Sequence, residues 1–153
     1  MRLLIDTTYL LPAIGVSVRG VPRTTVLDLR RKGHTLLIST ITIFELAAKG
    51  AKFVASHKLK GGRVESGLRA ILMDPTIGQV PFHEPDVITR ALSVREEVGD
   101  FIECLIISSA GARADILVTE DEQLQRLASQ EETRVKLRPA SSTFRTCSAR
   151  MIS

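Results

Sequence analysis

Arg2-Leu3-Leu4-Ile5-Asp6-Thr7-Thr8 decides how this chain folds: a short apolar run meets an acid and then two hydroxyls. An apolar run without alternation is the pattern of a strand buried on both faces, as in a parallel sheet covered by helices. Asp6 then stands at the carboxyl end of a core strand, the edge where open parallel sheets bind their ligands. An acid at that position is also a good N-cap for a following helix, and the stretch by itself leaves both roles open.

Outward from this strand, apolar runs and helical patterns alternate. Pro22 to Lys32 is punctuated as a helix, with proline at its start, a basic last turn and Gly33 after it. Leu36-Leu37-Ile38-Ser39 reads as a second buried strand, again ending in a hydroxyl. Helix formers follow from Thr42 to Ala48, Gly50 is expected to break or kink them, and Gly61-Gly62 separates a second helical stretch from Val64 to Met73. Ile77 to Phe82 predicts a third strand, and Pro85 opens a helix through Val98. Asp100-Phe101-Ile102-Glu103 starts a strongly apolar helix whose small residues allow close packing on a sheet. Ile116-Leu117-Val118 predicts the next strand, Thr119-Glu120-Asp121-Glu122 leads into a helix, and a last strand is expected from Thr133 to Leu137. Strands alternating with helices predict an α/β, three-layer sandwich with a mainly parallel central sheet. The expected organisation is one domain over residues 1–138 and an irregular C-terminal tail over 139–153.

Composition narrows the function classes. A chain of 153 residues with 44% hydrophobic content fits a single core. No apolar run approaches the roughly 20 residues of a membrane span, and the N-terminus lacks the order of a signal peptide, so a cytoplasmic location and no membrane partner are expected. Cys104 and Cys147 lie far apart, and Cys104 falls inside an apolar helical pattern, so neither a disulfide nor a thiolate metal site is expected. The net charge of +4 is unevenly spread. Lys49 to Arg69 carries six cations against Glu65, whereas Glu84 to Glu132 carries twelve acids against four arginines. That pattern suits a polyanion held by one surface and metal ions held by another, although for the basic segment alone a solvated helix face is the simpler reading.

Taken singly, three of the acids read as helix starts, since Thr42-x-x-Glu45, Asp100-x-x-Glu103 and Thr119-x-x-Glu122 have capping-box spacing. Convergence points further. Asp6 and Asp121 follow apolar strands, Glu45 lies in the first turns after the second strand, and Glu103 is on the helix before the fourth. A parallel sheet brings all four toward one cleft. Carboxylates so gathered raise one another's pKa unless a cation intervenes. The donors are all oxygens, with His34, His57, His83 and both cysteines elsewhere, which favours Mg²⁺ or Mn²⁺ over Zn²⁺. An unrelated phosphoryl-transfer domain using Asp6 would need a second aspartate close by, and Asp6-Thr7-Thr8 lacks it.

Leu3-Leu4-Ile5-Asp6-Thr7-Thr8, Ser39-x-x-Thr42-x-x-Glu45-Leu46, Glu103 through Ala110, and Ile116-Leu117-Val118-Thr119-Glu120-Asp121 occur in the order and approximate spacing of the PIN domain. Over nearly the whole chain the sequence resembles that family, and within it the VapC-type toxin ribonucleases. The resemblance implies a metal-dependent endoribonuclease, with Asp6, Glu45, Glu103 and Asp121 as catalytic and metal-holding acids and Thr119 as a polar neighbour; Thr7 and Ser39 fall in the matching motifs as supporting hydroxyls. One departure is visible: the third acid is usually Asp, and Glu103 carries its carboxylate one methylene further out. Asp100, one helical turn earlier, is placed to assist it.

The chemistry implied is in-line attack on an RNA phosphodiester by metal-activated water. Lys49, Lys52 and Lys58 would hold backbone phosphates. With 4% aromatic residues and no Trp, stacking on bases has little material. The resemblance further implies a homodimer, using apolar residues such as Tyr9, Leu10, Leu11, Val26 and Leu29, and silencing by an antitoxin protein that places a cation among the acids. The competing readings are a stand-alone RNA-processing nuclease and a PIN-like module that binds RNA or protein without cutting.

Overall fold

Neither face of the first strand meets solvent: Leu3, Leu4 and Ile5 are at most 1% exposed. In the computed structural model, which describes residues 1–137 and 144–153, β1 (Arg2–Ile5) is the middle strand of a five-stranded sheet. β2 (Thr35–Ser39) and then β3 (Ile77–Val80) lie on one side of it, β4 (Ile116–Val118) and then β5 (Arg145–Cys147) on the other. Every pairing is parallel. Side chains alternate across the sheet, as the pleat requires. Leu3, Ile5, Leu36, Ile38, Ile116 and Val118 enter one core, and Leu4, Leu37 and Leu117 enter the other.

Among the described residues, four α-helices cover each core. α1 (Thr7–Leu10), α2 (Thr25–Arg31), α3 (Thr40–Ala55) and α4 (Gly61–Leu72) cover the first with Tyr9, Leu10, Leu29, Leu46, Val64 and Ile71. α5 (Pro85–Ser93), α6 (Phe101–Arg113), α7 (Glu122–Ser129) and α8 (Glu131–Leu137) cover the second. This is the α/β sandwich that the sequence predicts. Of the apolar residues expected to serve a homodimer, Tyr9, Leu10 and Leu29 are buried within the chain, and Leu11 and Val26 stay half-buried.

The strand order β3-β2-β1-β4-β5 contains one reversal. The chain winds outward from β1 through β2 to β3, then returns to lay β4 on the opposite side of β1. A reversal of this kind opens a crevice between the carboxyl ends of the two strands concerned. Asp6 follows β1, and Thr119-Glu120-Asp121 follows β4. The Asp6 N–H bonds the Val118 carbonyl at 3.0 Å, which holds the two exits side by side.

Several boundaries differ from the sequence expectation. α2 starts at Thr25 because the Pro22 carbonyl accepts the Thr25 N–H at 3.1 Å and its hydroxyl at 2.7 Å, closing a turn ahead of the helix. α3 runs unbroken through Gly50, since one interior glycine costs only about 1 kcal/mol and a Cβ there would lie 2.4 Å from Val64 Cγ1. Gly50 serves the contact between α3 and α4. Gly61 and Gly62 are the first residues of α4 rather than a separator. β3 stops at Val80, ahead of Pro81, which has no N–H to pair. α5 stops at Ser93, and the chain turns so that Val94 and Val98 are both fully buried.

The largest correction concerns the C-terminal end. Thr133 to Leu137, expected as the last strand, is helical in α8; Thr133 and Leu137 face inward four residues apart while Val135 is 53% exposed. The fifth strand is Arg145–Cys147, inside the stretch expected to be irregular, and Phe144 and Ile152 beside it are 2% and 3% exposed. Residues 138–143 of the expected boundary and tail lie outside the described residues.

Two glycines of α4 give a matched test. A Cβ on Gly67 would come within 2.3 Å of the Ala13 carbonyl oxygen, in the 3-10 turn Leu11–Ile14, whereas one on Gly62 would meet nothing within 4 Å. Gly62→Ala is expected to stabilise by a few tenths to about 1 kcal/mol through helix propensity. Gly67→Ala is expected to destabilise by roughly 1–3 kcal/mol through overpacking. Urea denaturation of the two variants checks this, and equal midpoints would contradict the close approach.

Candidate active site

Asp6 is a helix cap and also lines the cleft at this sheet edge. Its Oδ1 accepts the Thr7 N–H at 2.7 Å as the N-cap of α1, and its Oδ2 accepts the Thr119 hydroxyl at 2.8 Å. Thr119 Oγ1 in turn accepts the Asp121 N–H at 3.0 Å, so one buried threonine ties the acid of β1 to the loop after β4. Asp121 is likewise a cap, accepting the Leu124 N–H at 2.9 Å at the start of α7. Helix capping and cleft lining are therefore two duties of the same side chains.

Asp6, Thr7, Glu45, Lys49, Glu103, Glu120 and Asp121 line a cleft of about 300 Å³ at this edge. Glu45 does not belong to a capping box, because Ser39 is the N-cap of α3 and Glu45 falls in the second turn. The Thr7 hydroxyl donates to Glu45 Oε2, and Lys49 Nζ stands 2.7 Å from Glu45 Oε1. All four sequence-predicted acids thus reach one cleft. Glu120 and the inward position of Lys49 were missed by sequence reasoning. The signals were there: Glu120 lies between Thr119 and Asp121 at a strand exit, and Lys49 is one helical turn beyond Glu45. Glu120 is held by the Tyr9 hydroxyl, which also accepts the Ala149 N–H at 2.8 Å.

Burial and then charge crowding raise the proton affinities in the cleft. Burial pushes the Asp6 carboxyl up, and the charge of Glu45 adds to this, while the bonds from Thr119 and Thr7 and the charge of Lys49 oppose it. Glu103 is also pushed up, first by burial and then by Asp121, Asp100, Asp6 and Glu45. Tyr9 is held well above its ordinary range, mainly by burial and by its bond to Glu120, so it acts as a donor.

The remaining expected residues divide. Ser39 is fully buried and does not line the cleft, its hydroxyl standing 2.9 Å from Ser109 Oγ. Ser109 donates its proton to the Leu105 carbonyl, so Ser39 is the donor of the pair and a structural group. Asp100 caps α6 through the Ile102 N–H at 2.7 Å and acts on Glu103 through its charge. In the basic segment Arg63 donates to the Ala13 and Pro12 carbonyls, and Arg69 pairs with Glu65. Lys52, Lys58 and Lys60 are exposed, while Lys49 faces the acids.

The donors of the cleft are carboxylate oxygens, which suits a hard divalent cation such as Mg²⁺ or Mn²⁺. Among the described residues, no three His, Cys, Asp or Glu side chains stand close enough together to hold an ion without adjustment. The reason is local: Glu45 is turned to Thr7 and Lys49, and Asp6 to Thr119 and the Thr7 N–H. The fit lies in donor chemistry and in the excess of carboxylates over cations among the lining residues.

A carboxyl whose pKa is higher folded than unfolded binds its proton more readily in the native state, so its contribution to stability falls as pH rises through the folded value. In EDTA the stability of Asp6→Asn relative to the wild type is therefore expected to rise as pH climbs above the ordinary carboxylate range and to shrink as pH falls back toward it. At neutral pH the variant should be at least as stable as the wild type. Thermal melts across that range measure this, and parallel curves for the two proteins would show that Asp6 carries no strained charge.

The PIN domain family model matches residues 3–130. No curated protein matches the chain. The crystal structure of VapBC2 from Rickettsia felis bound to a DNA fragment from their promoter contains a chain that is 23% identical, with a TM-score of 0.59, over 82% of this chain and 92% of that one. That likeness supports the fold. The family match runs from β1 through α7 and includes every carboxylate of the cleft; the chain belongs to the PIN domain family.

Proposed function

We propose that this protein is a Mg²⁺- or Mn²⁺-dependent endoribonuclease and the toxin of a toxin–antitoxin pair. The observation that carries the reading is the cleft itself: five carboxylates from four segments meet at the reversal point of a parallel sheet, with Lys49 as the one cation among the lining residues. PIN domains are generally nucleases, which agrees with such a site.

Asp6, Glu45, Glu103 and Asp121 would hold the divalent cation, which supplies stabilisation for the negative charge that builds on a phosphodiester under attack by water. The chain's own groups do the orienting. Thr119 and the Thr7 N–H fix Asp6 from two sides, Thr7 steers Glu45, and Tyr9 steers Glu120. Groups already held in place need little reorganisation when charge develops. Lys52, Lys58 and Lys60, exposed around the turn from α3 to α4, would contact RNA phosphates and add affinity without sequence information.

An antitoxin would quench this site by placing an arginine or lysine among the carboxylates. The pairing of Lys49 with Glu45 is an example of a side-chain cation settling there. The VapBC2 likeness supports such a partner for this chain. A homodimer through the N-terminal helices would have to use Leu11 and Val26, since Tyr9, Leu10 and Leu29 are taken into the core.

The test is cleavage of RNA by the purified protein in MnCl₂ or MgCl₂, with and without EDTA, beside Asp6→Asn. Cleavage should require the metal and fall on the order of a hundredfold or more in the variant, because losing even an outer-sphere partner of a metal costs roughly 10–100-fold. Cleavage that persists in EDTA, or full activity in a folded Asp6→Asn, would overturn the assignment. A protein that binds RNA but never cuts it would point to the non-cleaving module.

A further inference from the structure

Lys49 is one of six cations in the basic segment, yet its ammonium points into the acid cleft. It stands 2.7 Å from Glu45 Oε1, with the lysine side chain 42% and the glutamate side chain 22% exposed. The other oxygen of Glu45 accepts the Thr7 hydroxyl. Both oxygens of one acid thus accept from protein donors, and among the described residues lining the cleft Lys49 is the one cation beside Asp6, Glu45, Glu103, Glu120 and Asp121. Each oxygen keeps a further lone pair, but a divalent cation bound by Glu45 would lie beside the Lys49 ammonium, and repulsion between the two positive charges favours release of the ammonium. The lysine, on a flexible stem at the rim, is the easier to release, because its ammonium can move to water whereas Thr7 is 1% exposed.

We propose that Lys49 is an internal counter-ion that positions Glu45 until a divalent cation displaces it. The inference rests on reading the cleft as a divalent-metal site, and it gives Lys49 a role different from the phosphate contact expected of the basic segment. In the metal-free protein the ammonium offsets the crowded carboxylates and keeps Glu45 aimed at the cleft. In the metal-bound protein it contributes nothing at Glu45. Lys49 is therefore a positioning residue whose effect is confined to one of the two states.

Comparing Lys49→Met with the wild type in EDTA and in saturating MnCl₂ isolates that state dependence. Methionine keeps the length and helix preference of lysine without its charge. In EDTA the melting temperature of Lys49→Met should fall below the wild type, and in MnCl₂ the difference should close. Calorimetric titration should show Mn²⁺ binding on the order of tenfold tighter in the variant, from removal of one positive charge a few ångströms away. A deficit of equal size with and without Mn²⁺ would mark the pair as a fixed structural contact and overturn the proposal while leaving the metal site standing. If Mn²⁺ neither binds nor stabilises any of the proteins, the proposal and the nuclease reading fail together. If Lys49→Met does not fold in EDTA, Lys49→Arg decides: a guanidinium that engages both carboxylate oxygens should weaken Mn²⁺ binding, and unchanged affinity would overturn the proposal.

Discussion

Like charge held at one place is the constraint on which this structure turns. Asp6 is 8% exposed and shares its cleft with four other carboxylates, an arrangement that repulsion and desolvation both oppose. What keeps it together is a set of donors aimed inward: the Thr119 and Thr7 hydroxyls, the Thr7 N–H, the Tyr9 hydroxyl and the Lys49 ammonium. A fold that only needed stability would place apolar groups here. Burial and neighbouring carboxylates raise the proton affinities of Asp6 and Glu103, so the cleft holds charge at a cost.

The rest of the architecture can be followed from that edge. A central β1 buried on both faces puts Asp6 at the reversal of strand order, and the short exit from β4 brings Thr119, Glu120 and Asp121 alongside. α3 presents Glu45 from its second turn, and α6 presents Glu103 while burying eight consecutive residues, Cys104 to Gly111, against the sheet. The C-terminal segment takes part as well. Ala149 donates to Tyr9, which donates to Glu120, while Thr119 N–H bonds the Cys147 carbonyl at 3.1 Å. β5 therefore supports the β4 exit and reaches the site through one hydrogen-bonded tyrosine.

Much of this was legible in the residues. Unalternating apolar runs identified β1, β2 and β4, and the acids after them were placed correctly on one edge because a parallel sheet leaves little choice. Where sequence reasoning failed, a local pattern imitated another. Thr133-Arg134-Val135-Lys136-Leu137 alternates like a strand, but it is short enough for Thr133 and Leu137 to share a helix face instead. Arg145-Thr146-Cys147 is too short and polar to signal a strand, because an edge strand needs only backbone partners and one inward residue. Lys49 was grouped with Lys52 and Lys58 by proximity in the chain. Helix periodicity places it with Glu45, four residues back, and so on the cleft side.

The central claim is that the acid cleft is built to hold a divalent cation for phosphodiester chemistry. Anomalous diffraction from crystals soaked in MnCl₂ addresses it most directly, because manganese scattering locates the ion independently of activity. The account predicts a peak among the carboxylates of Asp6, Glu45, Glu103 and Asp121. A fully occupied manganese elsewhere on the chain with this cleft empty, or no peak at saturating metal, would contradict it.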